Sequence, residues 1–287
     1  MRTVTLSRRQ VREVLDEHGL APSRALGQNF VVDANTVRRI ARLSGVGPGT
    51  PVVEIGAGLG ALTLALAETG AQVTAVEVDR GLVPILRAQV ESHGVRVVEA
   101  DALVLDWPEL LGTAVSGPGA VPWAMVANLP YNVAVPVVLR ALDEAPALQS
   151  MLVMVQREVG ERLAAGPDDK AYGAVSVKVA YHATARVVGR VPSSVFVPRP
   201  AVESALVRIE RRPVVAVDPD VVPAARLFEV VRAGFGHRRK MLRQSLAGVV
   251  APGAFAASGI NPEARAENLG VEEWGRLAAC ALENPTS

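Results

Sequence analysis

The chain is poor in the residues that build disulfide frameworks, metal sites and membrane spans. Of its 287 residues one is cysteine and four are histidine. A lone Cys280 excludes an intrachain disulfide framework and a cysteine-based zinc site; it fits a reducing cytoplasm and reads as a small buried hydrophobe. His18, His93, His182 and His237 show no ligand-like spacing, so neither a metal nor a histidine base is predicted. Long apolar runs are missing too: stretches such as Met151–Val155 fall far short of the roughly 20 residues that span a bilayer. Behind the arginines of MRTVTLSRRQ there is no apolar core of a secretory signal. Aromatic residues make up 4% of the chain, and Trp107, Trp123 and Trp274 read as packing residues. Together these absences predict a soluble cytoplasmic protein with no membrane or metal partner.

What is present is a globular composition. Hydrophobic residues reach 49%, and 30 Lys+Arg balance 29 Asp+Glu, which excludes a disordered chain. The length suits one large domain, or a domain of about 200 residues with a small appendage. The net charge of +1 hides a pattern: residues 1–50 carry +4, 51–184 carry −7, 185–243 carry +7 and the remainder −3. Two positive flanks around an acidic centre fit an anionic partner gripped from both sides, and equally an ordinary solvated surface.

Residues 1–26 read as a basic, helix-prone arm. From Pro51 short apolar strands alternate with helices: strands at 51–55, 72–78, 95–100, 121–128 and 151–156, and helices at 61–68, 82–90 and 136–142. Continuous apolar strands separated by helices predict a doubly wound, mostly parallel sheet covered on both faces. After Gly166-Pro167 the texture changes. Residues 174–188 and 203–210 alternate as antiparallel strands do, on either side of a Pro-rich loop, Val191–Pro200. Beyond the candidate linker Pro213–Pro219 the patterning is helical, at 224–233, 237–246 and 271–282. The domain boundary is therefore placed at 212/213, with the arm 1–50 belonging to the first domain.

Glycines stand where the first strand turns into its helix, in Val53-Glu54-Ile55-Gly56-Ala57-Gly58-Leu59-Gly60. There a backbone can approach a ligand closely and a helix N-terminus offers free N–H groups, although a tight turn needs glycine for steric reasons alone. Glu77 closes the second strand, where a carboxylate can take both hydroxyls of a ribose. Asp101 follows the third strand, where it can accept from an adenine amino group. Either carboxylate alone could be a helix cap. The pair at successive strand ends points to an adenosine moiety, in NAD or in S-adenosylmethionine.

The fourth strand ends in Asn128-Leu129-Pro130-Tyr131. An aromatic amine such as adenine N6 is a poor nucleophile because its lone pair is delocalised into the ring. Two acceptors, the Asn128 side-chain oxygen and the Leu129 carbonyl, can hold its two hydrogens and favour a tetrahedral nitrogen. Pro130 fixes the chain so that this carbonyl points outward. Tyr131 can stack on the base, a contact worth roughly 1–3 kcal/mol. A dehydrogenase has no use for such a tetrad; an amino-methyltransferase does.

Further segments complete a resemblance that runs nearly end to end: Leu26-Gly27-Gln28-Asn29-Phe30-Val31-Val32-Asp33, Gln156-Arg157-Glu158-Val159, Ala171-Tyr172-Gly173, Pro192 with Phe196-Val197-Pro198-Arg199-Pro200 and Glu203-Ser204, Arg238-Arg239-Lys240-Met241-Leu242-Arg243 and Arg265-Ala266-Glu267. In this order, with the Gly-rich turn and the tetrad, the chain resembles the ribosomal RNA adenine N6,N6-dimethyltransferases, and among them the bacterial small-subunit group linked to kasugamycin resistance. Val31, where that family usually has Leu, and Ala57 are conservative departures.

The resemblance implies a Rossmann-like class I methyltransferase sheet, mostly parallel with an antiparallel hairpin at its end. It also implies a small all-α C-terminal domain, 213–287, that binds RNA or the ribosome. S-Adenosylmethionine would be bound by Asn29, Val31, Gly56, Gly58, Glu77, Asp101 and Asn128. Asn128, Leu129, Pro130 and Tyr131 would form the catalytic site, with Phe196 as a second aromatic sandwiching a flipped adenine. The implied substrate is two adjacent adenosines in the 3′-terminal hairpin loop of 16S rRNA, within an immature 30S particle, each dimethylated by a monomeric enzyme. Arg232, Arg238, Arg239, Lys240 and Arg243, at the start of a helix, would contact phosphates, as would Arg8, Arg9, Arg12 and Arg24 in the arm. The alternatives are an erythromycin-resistance-type 23S rRNA methyltransferase and a small-subunit assembly factor whose binding outweighs its catalysis.

Overall fold

The computed structural model describes residues 6–23, 25–112 and 122–283. Of the segments read above, residues 1–5 of the arm, Arg24, position 121 of the fourth strand and residues 284–287 lie outside the described residues. In chain order the elements are α1 (Arg8–Glu17), β1 (Phe30–Val31), α2 (Ala34–Ser44), β2 (Pro51–Ile55), α3 (Ala61–Ala67), β3 (Gln72–Glu77), α4 (Leu82–Val90), β4 (Arg96–Glu99), α5 (Trp107–Leu111), β5 (Trp123–Asn128), α6 (Ala134–Glu144), β6 (Leu148–Gln156), α7 (Arg157–Ala164), α8 (Ala174–His182), β7 (Ala183–Val191), β8 (Phe196–Val197), β9 (Ser204–Arg211), α9 (Ala224–Gly236), α10 (Leu242–Ser245), α11 (Pro252–Ser258) and α12 (Val271–Glu283).

Seven strands form one sheet in the order β4-β3-β2-β5-β6-β9-β7. From β4 to β6 neighbours are parallel, and β9 runs antiparallel to β6, pairing from Ser150↔Glu210 to Gln156↔Ser204. The chain builds outward from β2 through β3 to β4, then returns to lay β5 on the other side of β2. This is the strand-order reversal beside which α/β sheets bind ligands. The β2–β5 ladder stops at Val53↔Met125, although β2 runs on to Ile55 and β5 to Asn128.

By contacts the chain divides into two units, residues 1–160 with 187–211, and residues 161–186 with 212–287. In the first, Val37, Ile40, Val52, Leu66, Leu86 and Val126 belong to a core between sheet and helices. A smaller cluster joins α1 through Val11 and Leu15 to Phe30, Leu59 and Ile85. In the second, Tyr172, Tyr181, Leu227, Leu242 and Trp274 share one apolar core, against which half-buried Cys280 packs.

Two sequence expectations are corrected. Residues 174–182 are helix α8, and the strand begins only at Ala183. Ser176, Val177, Val179 and Tyr181 of α8 are buried and its other residues are half-buried, so its polar face is reduced to Lys178 and His182 and its alternating valines imitate a strand. The basic segment His237–Lys240 lies in a turn after α9, closed by the Lys240 N–H to the His237 carbonyl at 2.8 Å, and α10 starts only at Leu242. Among the described residues, no helix is long and apolar enough to cross a membrane.

Candidate active site

A cavity of about 280 Å³ lies at the carboxyl ends of β2, β3 and β5. Its lining includes Asn29, Val31, Gly56, Gly58, Glu77, Asp101, Asn128, Leu129, Pro130 and Tyr131, ten residues that the sequence had singled out. Gly56 turns out of β2 at φ +75°, and a Cβ there would stand 3.2 Å from Pro130 Cδ. Only glycine lets the first turn pack directly on the tetrad.

The arm before β1 crosses this opening and is clasped on both sides. Asn132 Nδ2 donates to the Ala25 carbonyl at 2.8 Å, and Gln28 Nε2 donates to Asp79 Oδ2 at 2.7 Å. Asn128 Nδ2 donates to the Asn29 carbonyl at 3.1 Å. That last bond fixes the amide's orientation: a carbonyl can only accept, so the Asn128 nitrogen must face the arm and its oxygen the opposite side. The acceptor required of Asn128 is thus the free end of its amide. Tyr131 is anchored through its hydroxyl, 2.8 Å from Oγ of fully buried Ser204. Burial pushes the phenol pKa up, and the Ser204 hydroxyl pulls it back.

Glu77, 5% exposed, holds the Gly-rich turn from the neighbouring strand. Its Oε2 accepts from the Gly58 N–H at 2.7 Å, and its Oε1 from Val78 and Asp79 at 3.0 and 2.9 Å. Burial raises its pKa, and these three donors oppose that rise. Asp101 is exposed at the rim and accepts from the Leu103 N–H at 2.8 Å. Its loop is braced by Arg140, which donates to the Ala102 and Leu105 carbonyls at 3.3 and 3.2 Å.

Charge narrows the ligand. Glu54, Glu77 and Asp101 line the cavity, and among the described residues no lysine, arginine or histidine does. A dinucleotide's pyrophosphate would find backbone N–H groups of the Gly-rich turn but no basic side chain among the described lining residues, whereas a nucleoside bearing positive charge is attracted by the three acids. The residues present therefore fit S-adenosylmethionine, with a ribose acceptor, a rim carboxylate for the base and an acidic wall for the sulfonium and ammonium groups.

Phe196 is not in this cavity. It is fully buried among Val31, Val37 and Ile40, and its strand β8 pairs antiparallel with β1 through Val31↔Phe196. Arg8 ties the same strand to α1, donating to the Phe196 carbonyl at 3.1 Å and to the Ser194 carbonyl. The aromatic that lines the cavity beside Tyr131 is Phe30, whose ring a Gly58 Cβ would touch at 3.2 Å. In the second unit, Arg238 is ion-paired with Glu267 at 2.8 Å and donates to the Lys170 carbonyl, and Arg243 lies 3.5 Å from Glu263. Arg232, Arg239 and Lys240 are exposed.

A sequence profile of ribosomal RNA adenine dimethylases matches residues 21–282. The chain belongs to the ribosomal RNA adenine dimethylase family. It is 47% identical over 285 residues to ribosomal RNA small subunit methyltransferase A of Kineococcus radiotolerans, covering 96% of this chain and 91% of that protein. The protein of the same name from Leifsonia xyli subsp. xyli is 47% identical over 282 residues, 94% of this chain and 96% of its own. Among solved structures, the 23S rRNA methyltransferase ErmE has a TM-score of 0.66 at 27% identity, covering 88% of this chain and 99% of that one. A dimethyladenosine transferase from Plasmodium falciparum shares the fold, with a TM-score of 0.70 at 19% identity over 86% of this chain and 95% of its own.

The sheet is thus the Rossmann-like sheet of the class I methyltransferases, as the resemblance implied. Four features of this dimethylase escaped sequence reading. Gln28 and Asn132 clasp the arm, Ser204 anchors Tyr131, and Arg140 braces the Asp101 loop. The fourth, Glu54, had a signal: an acid inside an apolar run that becomes a central strand, where it is 1% exposed.

Proposed function

We propose that the chain dimethylates N6 of two adjacent adenosines in the 3′-terminal hairpin loop of small-subunit ribosomal RNA. In this reading it uses S-adenosylmethionine and acts as a monomer on immature small subunits in the cytoplasm. One observation carries the chemistry: an acidic cavity, with no basic residue in its lining among the described residues, abuts Asn128-Leu129-Pro130-Tyr131, whose Asn128 amide is held by its nitrogen. The small-subunit target is supported by 47% identity to two small-subunit methyltransferases, against 27% to the 23S enzyme ErmE.

When bound, the donor supplies an electrophilic methyl on a cationic sulfur. Asn29, Val31, Gly56, Gly58, Glu77 and Asp101, which line the cavity, would hold it, with Glu77 as the acceptor for ribose hydroxyls and Asp101 for the adenine amine. Tyr131 stacks on an extruded adenine, its ring fixed by Ser204. The Asn128 oxygen and the Leu129 carbonyl accept the two N6 hydrogens, drawing the nitrogen lone pair out of the ring toward the methyl. The amine would take the methyl as the sulfur–methyl bond breaks, leaving a neutral thioether, and would give one proton to solvent; positioning rather than a strong base would carry the step. The helical unit 161–186 with 212–287 contacts RNA phosphates, led by the exposed Arg232, Arg239 and Lys240, with Arg238 and Arg243 held partly by their carboxylate partners. Phe196 takes part from beneath, as the core support of β1 and the arm.

The test is to incubate the protein and methyl-labelled donor with unmethylated small and large ribosomal subunits, and then to map N6,N6-dimethyladenosine by mass spectrometry. Label on two adjacent small-subunit adenosines is expected. Label confined to the large subunit, or none on either, would overturn the assignment.

A further inference from the structure

Glu54 has no role in the mechanism above. Its carboxyl stands where the β2–β5 ladder ends, lines the cavity and is 1% exposed. Its Oε2 has no hydrogen-bond partner among the described residues. A buried, unpartnered carboxylate facing no cation is costly; the same group is tolerable when protonated, or when a ligand brings positive charge.

The groups around it relieve only part of that cost. Helix α3 brings the Thr63 hydroxyl near enough to favour the ionised form somewhat, but short of full hydrogen-bond geometry. Strand β3 brings Glu77, the loop after β4 brings Asp101, and the segment after β5 brings Tyr131, whose hydroxyl is committed to Ser204. The arm contributes Gln28 and Asn29, neither titratable. Burial pushes the Glu54 carboxyl up to about 8, with Thr63 pulling down and Glu77 adding to the rise. Glu77 is different, because three N–H donors already serve its ionised form.

We propose that Glu54 distinguishes ligands by charge: its carboxyl is protonated in the unliganded protein at neutral pH and releases the proton to solvent when a positively charged ligand enters. This rests on the S-adenosylmethionine reading above. In consequence the donor is favoured over S-adenosylhomocysteine, which has lost the sulfonium charge, and the preference grows as pH rises toward 8. After transfer the neutral acid is favoured again, which helps the spent molecule leave.

The experiment is titration calorimetry of the full chain with S-adenosylmethionine and with S-adenosylhomocysteine, at pH 6.5 and 7.5, in buffers of different ionisation enthalpy. Comparison of wild type with Glu54→Gln separates the carboxyl from the ligand's own amine. On binding S-adenosylmethionine, wild type should release close to one proton more than Glu54→Gln at pH 6.5 and about three-quarters of a proton more at pH 7.5, and distinctly less on binding S-adenosylhomocysteine. Its affinity for the donor should rise by up to about tenfold per pH unit below 8, a dependence that Glu54→Gln loses. Glu77→Gln should bind more weakly yet still release the proton.

If Glu54→Gln does not fold, infrared difference spectroscopy of wild type replaces it: a protonated buried carboxyl band present without ligand should vanish with the donor. Donor binding with equal proton counts in wild type and Glu54→Gln, or with the carboxyl band unchanged, overturns this proposal and leaves the function standing. No donor binding at any pH overturns both.

Discussion

Replacing Glu77 by Gln separates what this carboxylate does for the protein from what it does for the ligand. A carboxylate offers about four lone-pair positions, and three are taken by the N–H groups of Gly58, Val78 and Asp79. About one is left for a ribose hydroxyl. Glutamine turns one oxygen into a donor, and either amide orientation sets that donor against a backbone N–H. A hydrogen bond to a charged acceptor is worth about 1.5–3 kcal/mol, so donor affinity should fall by roughly 10- to 150-fold. Leaving the Gly58 N–H unpaired costs about 1–3 kcal/mol, which lowers the unfolding midpoint by several degrees at about 2–4 °C per kcal/mol. Calorimetric titration with S-adenosylmethionine and thermal unfolding without it read the two effects separately. Affinity within twofold of wild type would refute the ribose contact; unchanged thermal stability would refute the structural one.

Tyr131→Ala should reduce turnover or RNA affinity by the roughly 1–3 kcal/mol of a base stack while donor affinity stays within twofold, and Tyr131→Phe should keep most of the activity; equal losses in both variants, read by methyl incorporation, would argue against stacking. Phe196→Ala should destabilise the fold by about 3–5 kcal/mol, because it opens a cavity in a filled core; denaturant unfolding that shows no loss would instead make Phe196 a surface aromatic free to stack. Substituting Arg239 and Lys240 together should lower the salt slope of RNA binding by roughly 0.7–0.9 for each phosphate that is no longer neutralised, and an unchanged slope would leave them as solvated surface. With its pKa raised to about 8, Glu54 contributes stability that is present below its unfolded value of 4.5 and lost as pH climbs through 8. Unliganded Glu54→Gln should therefore gain stability relative to wild type between about pH 5 and 9, by at most about 5 kcal/mol; a constant difference across that range would place the proton elsewhere.

The parallel half of the sheet was legible because each strand is a short apolar run closed by a turn, and Gly56, Glu77, Asp101 and Asn128, at or just after its carboxyl ends, line the cavity. Helix α8 was not, since none of its residues is fully exposed and its valines fall at every second position, which blurs the helical period on which such a reading depends. The site's long-range clasps were also hidden. Gln28 meets Asp79 and Tyr131 meets Ser204 across 51 and 73 residues, and nothing local in either segment announces its partner. Phe196 shows the opposite hazard. Its segment matched the family pattern, but pairing of β8 with β1 turned the ring into the core.

The most direct measurement is a crystal structure of the chain with S-adenosylhomocysteine and an RNA hairpin carrying the target adenosines. The Asn128 oxygen and the Leu129 carbonyl should both lie about 2.7–3.2 Å from the adenine N6, with the spent donor at the ends of β2, β3 and β4. An Asn128 amide turned from the base, or an adenine amine held by other groups, would contradict the assignment of the tetrad as the acceptor pair that activates it.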